Sequence, residues 1–98
     1  MEVSNTNNSW KIAAFYHFTK FPDYESWADR LVEHGLSVGL RGTIILAEEG
    51  INSTCSGSVE AIDRTIELIR SDERFKSMEV KYSYADFCPF PKFKVKKK

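Results

Sequence analysis

The sequence predicts an α+β fold, a four-stranded antiparallel sheet with two helices on one face. Three observations predict it. The chain has 98 residues, the length of one domain, and 42% of them are hydrophobic, enough for a core. Apolar residues alternate in some short segments and recur at helical spacing in two others. The segments follow the order strand–helix–strand–strand–helix–strand, the split βαβ pattern.

Each element has its own signal. Trp10 to Phe18 is dense in aromatic and aliphatic residues and reads as the first strand. Phe21-Pro22 stops it, and Asp23 stands where a helix cap belongs, with Glu25 in the first turn where the helix dipole favours negative charge. Trp27, Ala28, Leu31 and Val32 share one helical face, and Gly35 is placed to end that helix. Thr43 to Ala47 reads as a second strand and Ile51 to Ser56 as a third, paired as a hairpin through Glu48-Glu49-Gly50. Ser58 is the expected cap of a second helix carrying Val59, Ile62, Ile66 and Ile69, with Glu60 and Arg64 paired across one turn. Met78, Val80, Tyr82 and Tyr84 alternate with Glu79, Lys81 and Ser83 in a half-buried fourth strand. The whole is a ferredoxin-like (acylphosphatase-like) βαββαβ sandwich over residues 10–86. Residues 1–9 read as a disordered polar tail, and residues 87–98 as a basic exit segment leading toward a further domain.

The formal net charge of zero conceals a split: residues 92–98 hold five lysines and no acid, so the preceding residues carry the acidic excess. No run approaches the length of a membrane span, and the first residues lack the basic and apolar regions of a signal peptide. Two cysteines, Cys55 and Cys88, are no disulfide framework, which points to a reduced, cytoplasmic compartment.

Several chemistries are excluded by what is missing. There is no phosphate-binding G-x-x-x-x-G-K-[ST] loop, no dinucleotide G-x-G-x-x-G, no C-x-x-C and no H-E-x-x-H. His17, His34, Cys55 and Cys88 lack ligand-like spacing, so no metal is expected. Acylphosphatase chemistry needs an arginine in a glycine-bearing loop after the first strand, and that loop is Thr19-Lys20-Phe21-Pro22. RNA-recognition motifs stack bases on aromatics of the first and third strands, and the third strand here has none.

The open face of the sheet is expected to be partly apolar, because Phe15 and Ile45 fall out of phase with their neighbours. Phe87, Phe90 and Phe93 of the C-terminal segment are the cover expected from within the chain; otherwise another domain or molecule docks there. Arg41, Glu48, Glu49 and Asn52 gather around one hairpin and form a candidate composite site.

The run Gly42-Thr43-Ile44-Ile45-Leu46-Ala47-Glu48-Glu49-Gly50-Ile51-Asn52 resembles the signature of the bacterial rhodanese-fused tRNA uridine 5-hydroxylases. The resemblance continues through Asp72-Glu73-Arg74-Phe75 and the Pro-Phe and basic stretch from Pro89 to Lys98, and departs at Ser53, where glycine is more usual. It implies an N-terminal accessory domain of an enzyme that hydroxylates the wobble uridine of tRNA with molecular oxygen as co-substrate. It also implies that the essential cysteine lies in a rhodanese-like domain absent from this chain, so no catalytic residue and no cofactor is assigned here. The partners implied are tRNA and that rhodanese-like domain, with no membrane. Lys81, Lys92, Lys94, Lys96, Lys97 and Lys98 are the candidate phosphate contacts. Another reading is a protein-interaction domain of a rhodanese-type sulfurtransferase with no RNA contact.

Overall fold

β1 (Trp10–Phe18) is rich in aromatic residues and takes an inner place in the sheet, with an antiparallel neighbour on each side. A computed structural model describes residues 10–98, so the expected tail at residues 1–9 lies outside the described residues. α1 (Tyr24–Val38) follows, then the hairpin of β2 (Arg41–Ala47) and β3 (Gly50–Gly57), then α2 (Val59–Arg70). A single 3-10 turn at Glu73–Phe75 leads to β4 (Val80–Ala85), and β5 (Phe93–Lys97) closes the chain.

The sheet has five strands in the order β4-β1-β3-β2-β5, which corrects the expected four. β5 runs parallel to β2, in register Gly42↔Phe93, Ile44↔Val95 and Leu46↔Lys97, so the sheet is mixed rather than antiparallel. The segment expected to lead away from the domain therefore supplies its edge strand. The physical reason lies in its pattern: Phe93 and Val95 alternate with lysines, and a strand that begins apolar and ends in Lys-Lys suits an edge that must not recruit further strands.

α1 and α2 cover one face. Their apolar residues Trp27, Ala28, Leu31, Ile62, Ile66 and Ile69 meet Ala13, Phe15, Ile44, Leu46, Ile51 and Cys55 of the sheet in one core. Phe15 is thus buried beneath the helices at 4% exposure, and the expected place for it on the open face is wrong. The majority of apolar residues in β1, namely Ile12, Ala14, Tyr16 and Phe18, points the other way. At the middle of the covered face Ala13, Ser53 and Cys55 lie side by side across β1 and β3, small residues that leave room for the helices between Phe15, Ile44, Leu46 and Ile51. Lys11 also belongs to the helix side: its Nζ reaches Asp63 of α2 at 2.9 Å and lies 4.4 Å from the Tyr82 ring centroid.

The caps divide. Ser58 accepts from the Ala61 amide at 3.0 Å as expected. Asp23 stands at the N-terminus of α1, but its carboxylate makes no cap and binds Arg74 instead. α1 also runs past Gly35 to Val38 and ends on Gly39, which takes the left-handed conformation at φ 75°. Gly35 serves packing instead. A Cβ there would enter the ring of Phe93, so the missing side chain lets β5 close onto α1.

Candidate functional site

Strand pairing fixes which side chains share the open face. One row across the sheet is Lys81–Ala14–Thr54–Thr43–Lys94, spanning all five strands and carrying a lysine at each end. The next is Tyr16–Asn52–Ile45–Lys96. A third holds Ser83, Ile12, Ser56 and Arg41. At about 4.8 Å between strands, the Lys81 and Lys94 backbones stand roughly 19 Å apart. Of the candidate phosphate contacts, Lys81, Lys94 and Lys96 therefore meet on one face, joined by Ile45, which is half-buried there as expected. Lys97 alternates to the opposite side. Lys92 precedes β5 with its carbonyl bonded to the Gly42 amide at 2.6 Å, and Lys98 lies with Lys20, Glu48 and Glu49 around a shallow depression at the hairpin.

Two aromatics dominate this face. Tyr16 and Phe18 are 66% and 75% exposed, with ring centroids 5.8 Å apart and the rings tilted by 56°. Below Tyr16 opens a shallow pocket of about 580 Å³, lined among others by Ala14, Asn52, Thr54, Glu79 and Lys81. The expected cover from the C-terminal segment reaches only the far end. Phe90 lines a shallow depression together with Thr43, Ile45 and Thr54, and the Cys88 thiol lies 3.8 Å from the Ser56 hydroxyl, which is fully buried. Phe93 goes to the helix side and Phe87 is 66% exposed, so Tyr16 and Phe18 stay open.

The hairpin cluster does not converge into one site. Arg41 begins β2 and donates to the Pro91 carbonyl at 3.0 Å. Glu48 and Glu49 lie beyond the other end of that strand, roughly 20 Å away at about 3.3 Å per residue. Asn52 is between them, on the open face beside Tyr16. The hairpin's own order explains much of the motif. Gly50 adopts φ 143° with its α-carbon against the His17 carbonyl, and the carbonyls of Glu48 and Glu49 accept from the Phe21 and Thr19 amides at 2.8 and 3.0 Å. Ser53 donates to the Thr43 carbonyl at 2.9 Å, so a serine there holds the strand without loosening it.

The loop after β1 is filled rather than hollow. Phe21 is 1% exposed and meets Phe75 edge-on at 5.0 Å. The Arg74 guanidinium lies 4.9 Å over the Phe21 ring and is held by Asp72 and Asp23, at 2.7 and 2.6 Å. These bonds draw the Asp72 carboxyl down to about 2. An arginine does lie near this loop, but two carboxylates consume it, so no anion cradle forms there.

The histidines and cysteines have structural settings. Thr65 gives its proton to the Ala61 carbonyl at 2.7 Å, so His34 Nε2, 2.9 Å away, is the donor to the Thr65 hydroxyl. Burial, helped by nearby Arg64, lowers the His34 pKa. His17 stands edge-on to Phe75. Cys55 is fully buried, and burial pushes its thiol up, away from reactivity. Among the described residues no group of three or more His, Cys, Asp or Glu could hold a metal ion, and no helix is long and apolar enough to cross a membrane.

What sequence reasoning missed is the Tyr16–Phe18 pair. No local signal finds it, because Lys11 shares the face of Ala13 and Phe15 and marks that side as exposed until its contact with Asp63 of α2 is seen.

Residues 10–98 match the UPF0176 acylphosphatase-like domain family. The chain is 44% identical over 90 residues to a protein of Wolbachia pipientis wMel named tRNA uridine(34) hydroxylase, covering 92% of this chain and 33% of that one. It is 41% identical over 83 residues to a protein of the same name from Xylella fastidiosa (strain M23), covering 85% of this chain and 32% of that one. The chain thus spans about one third of the length of the curated relatives it matches. Among solved structures, the dark state of BlrB, a BLUF protein, superposes with a TM-score of 0.71 at 14% identity, covering 93% of this chain and 74% of that chain. At that identity the likeness is one of fold.

Proposed function

The chain belongs to the UPF0176 acylphosphatase-like domain family, and from that premise we propose that it is the N-terminal accessory domain of an oxygen-dependent tRNA uridine(34) 5-hydroxylase. Its work is to help grip tRNA and to pack against a rhodanese-like domain that carries the chemistry. The named relatives supply the substrate class. The observation that carries the grip is the placement of Lys81, Lys94 and Lys96 on one uncovered sheet face, with Arg41 at its end. Lysine ammonium groups on a flat face neutralise phosphates and release their counterions, which gives affinity without sequence preference. The hydroxylation, with molecular oxygen as co-substrate, belongs to the rhodanese-like domain, because no residue of this chain matches the essential cysteine. A tRNA substrate puts the enzyme in the cytoplasm.

Titrating tRNA against this chain over a range of salt tests the reading. Affinity should fall steeply with salt, and Lys94→Gln with Lys96→Gln should flatten the log–log slope by about 0.7–0.9 per lysine. Binding that ignores salt, or that survives both substitutions with an unchanged slope, refutes the grip. An interaction domain without RNA contact would instead bind the separately produced downstream domain and leave tRNA alone.

A further inference from the structure

We propose that the open sheet face is a stacking platform for single-stranded RNA, with Tyr16 and Phe18 as the base-binding rings. The proposal deepens the tRNA reading above and rests on it for the source of the strand. Three features of the face carry it.

The first is the rings themselves. Large aromatics at 66% and 75% exposure are unusual on a sheet face, and the C-terminal segment, with Phe90 and Cys88 near its other end, does not reach them. They project from β1 just past the point where β4 stops pairing, and the ladder to β3, Tyr16 with Asn52 and Phe18 with Gly50, holds their backbones in place. A rigid, flat ring is what an unpaired base stacks on.

The second is the order of chemistry across the rows. From Tyr16 the row runs to the Asn52 amide, then Ile45, then Lys96. The neighbouring row runs from Ala14 to the hydroxyls of Thr54 and Thr43, then Lys94. A ring for the base, an amide and hydroxyls for its polar edge, and ammonium groups for phosphates follow one another across the strands. A face built to bury a protein partner would continue the apolar surface, and here polar side chains interrupt it.

The third is charge. Lys81 bounds the aromatic strand on one side, and Lys94 and Lys96 bound the face on the other. Glu79 is the acid that shares the pocket under Tyr16. Glu48 and Glu49 stand at the hairpin near Phe18, so a polyanion is directed across the strands toward β5 rather than off that end. A duplex keeps its bases stacked within itself and offers these rings nothing, whereas the unpaired nucleotides of a tRNA loop can splay onto them. The absence of an aromatic from β3 removes the usual second stacking strand. The second ring comes instead from two positions further along β1.

The test uses the 98-residue chain with a short oligouridylate, a blunt RNA duplex of the same length, and tRNA. Oligouridylate should bind more tightly than the duplex and should shift the ring resonances of Tyr16 and Phe18. Tyr16→Leu and Phe18→Leu should each weaken oligouridylate binding by about fivefold or more, with the salt slope unchanged. Leucine keeps apolar area but cannot stack, and Tyr16→Phe should retain affinity. Both positions are exposed, so folding should survive, checked by circular dichroism. Leucine variants that bind oligouridylate normally would overturn the platform, and salt-dependent tRNA binding in the same samples would leave the lysine grip standing. A chain that binds neither RNA at any salt would overturn both. Binding of the downstream domain at Tyr16 and Phe18 in place of RNA, with the leucine variants still competent for it, would assign the face to protein packing and overturn the proposal.

Discussion

The close approach of Phe93 to Gly35 makes Gly35→Ala a test of whether β5 is part of the domain. In an unobstructed helix interior the change would stabilise by about 1 kcal/mol, because alanine loses less backbone freedom than glycine on folding. Here the added Cβ would enter the Phe93 ring, so something must move. Overpacking of this kind typically costs about 1–3 kcal/mol. The two effects oppose each other, and an overlap this deep lies toward the upper end of that range, leaving a net loss of up to about 2 kcal/mol. For a domain of this length that is a fall in melting temperature of up to roughly 16 °C. The companion change separates the contributions. Phe93→Ala alone should cost about 2 kcal/mol, less than a fully buried phenylalanine because this ring is half-buried. In the Phe93→Ala background the obstruction is gone, so adding Gly35→Ala should stabilise by about 0.5–1 kcal/mol. The same substitution thus changes sign between backgrounds, a coupling well beyond the roughly 0.5 kcal/mol tolerance for independent sites. Urea unfolding followed by tryptophan fluorescence reads both the midpoint and the slope. A Gly35→Ala variant more stable than the parent, or a cycle that closes additively, would refute the packing. It would also remove the basis for placing Lys94 and Lys96 on the open face.

Three other outcomes are expected. The folded-state pKa of His34 lies below its ordinary value of 6.5, so the folded chain binds fewer protons there than the unfolded chain. The stability this represents is fully present above pH 6.5 and is lost as the pH falls below it; His34→Gln should flatten that part of the stability–pH curve, and an unchanged curve would contradict the buried Thr65 contact. Asp72 is held at about 2 against an ordinary 3.8, so its contribution is present above pH 3.8 and is lost between there and about pH 2. Arg74→Met should lower stability at neutral pH by about 1–2 kcal/mol and make the acid loss shallower, read from urea midpoints at several pH values. Ellman's reagent should modify Cys88 in the native chain, whereas Cys55 should react only at the rate of unfolding, and fast labelling of Cys55 would contradict its burial.

Much of the fold was legible because local signals agreed with one another. The alternation in β4, the helical spacing of Ile62, Ile66 and Ile69, the Ser58 cap and the Glu60–Arg64 pair at 2.8 Å are all where the sequence puts them. The hairpin turn at Gly50 is too, and Gly50 takes a positive φ there. The resemblance drawn from the hairpin motif agrees with the named relatives, and it rests on eleven consecutive residues that also have structural duties. The candidate site was legible only in pieces. Lys81 and Asn52 stand out separately in the sequence, and nothing local says that they share a face with Tyr16. Arg41 and Glu49 are near in sequence, but a strand between them holds them apart.

By itself, then, the sequence determined the types and order of the first six elements, the acidic body and basic end, and the family. It did so because propensity, caps and periodicity act over a few residues. The tertiary structure alone decided three things: that residues 93–97 add a parallel fifth strand, that Gly35 is a contact rather than a helix end, and that β1 turns Phe15 inward and Tyr16 and Phe18 out. Each depends on a partner distant in the chain. β5 needs the open edge of β2, Gly35 needs Phe93, and the facing of β1 is set by how closely small residues let the helices approach. Reversing which side of a strand is covered moves every side chain across the sheet, so one long-range packing choice placed the whole candidate interface.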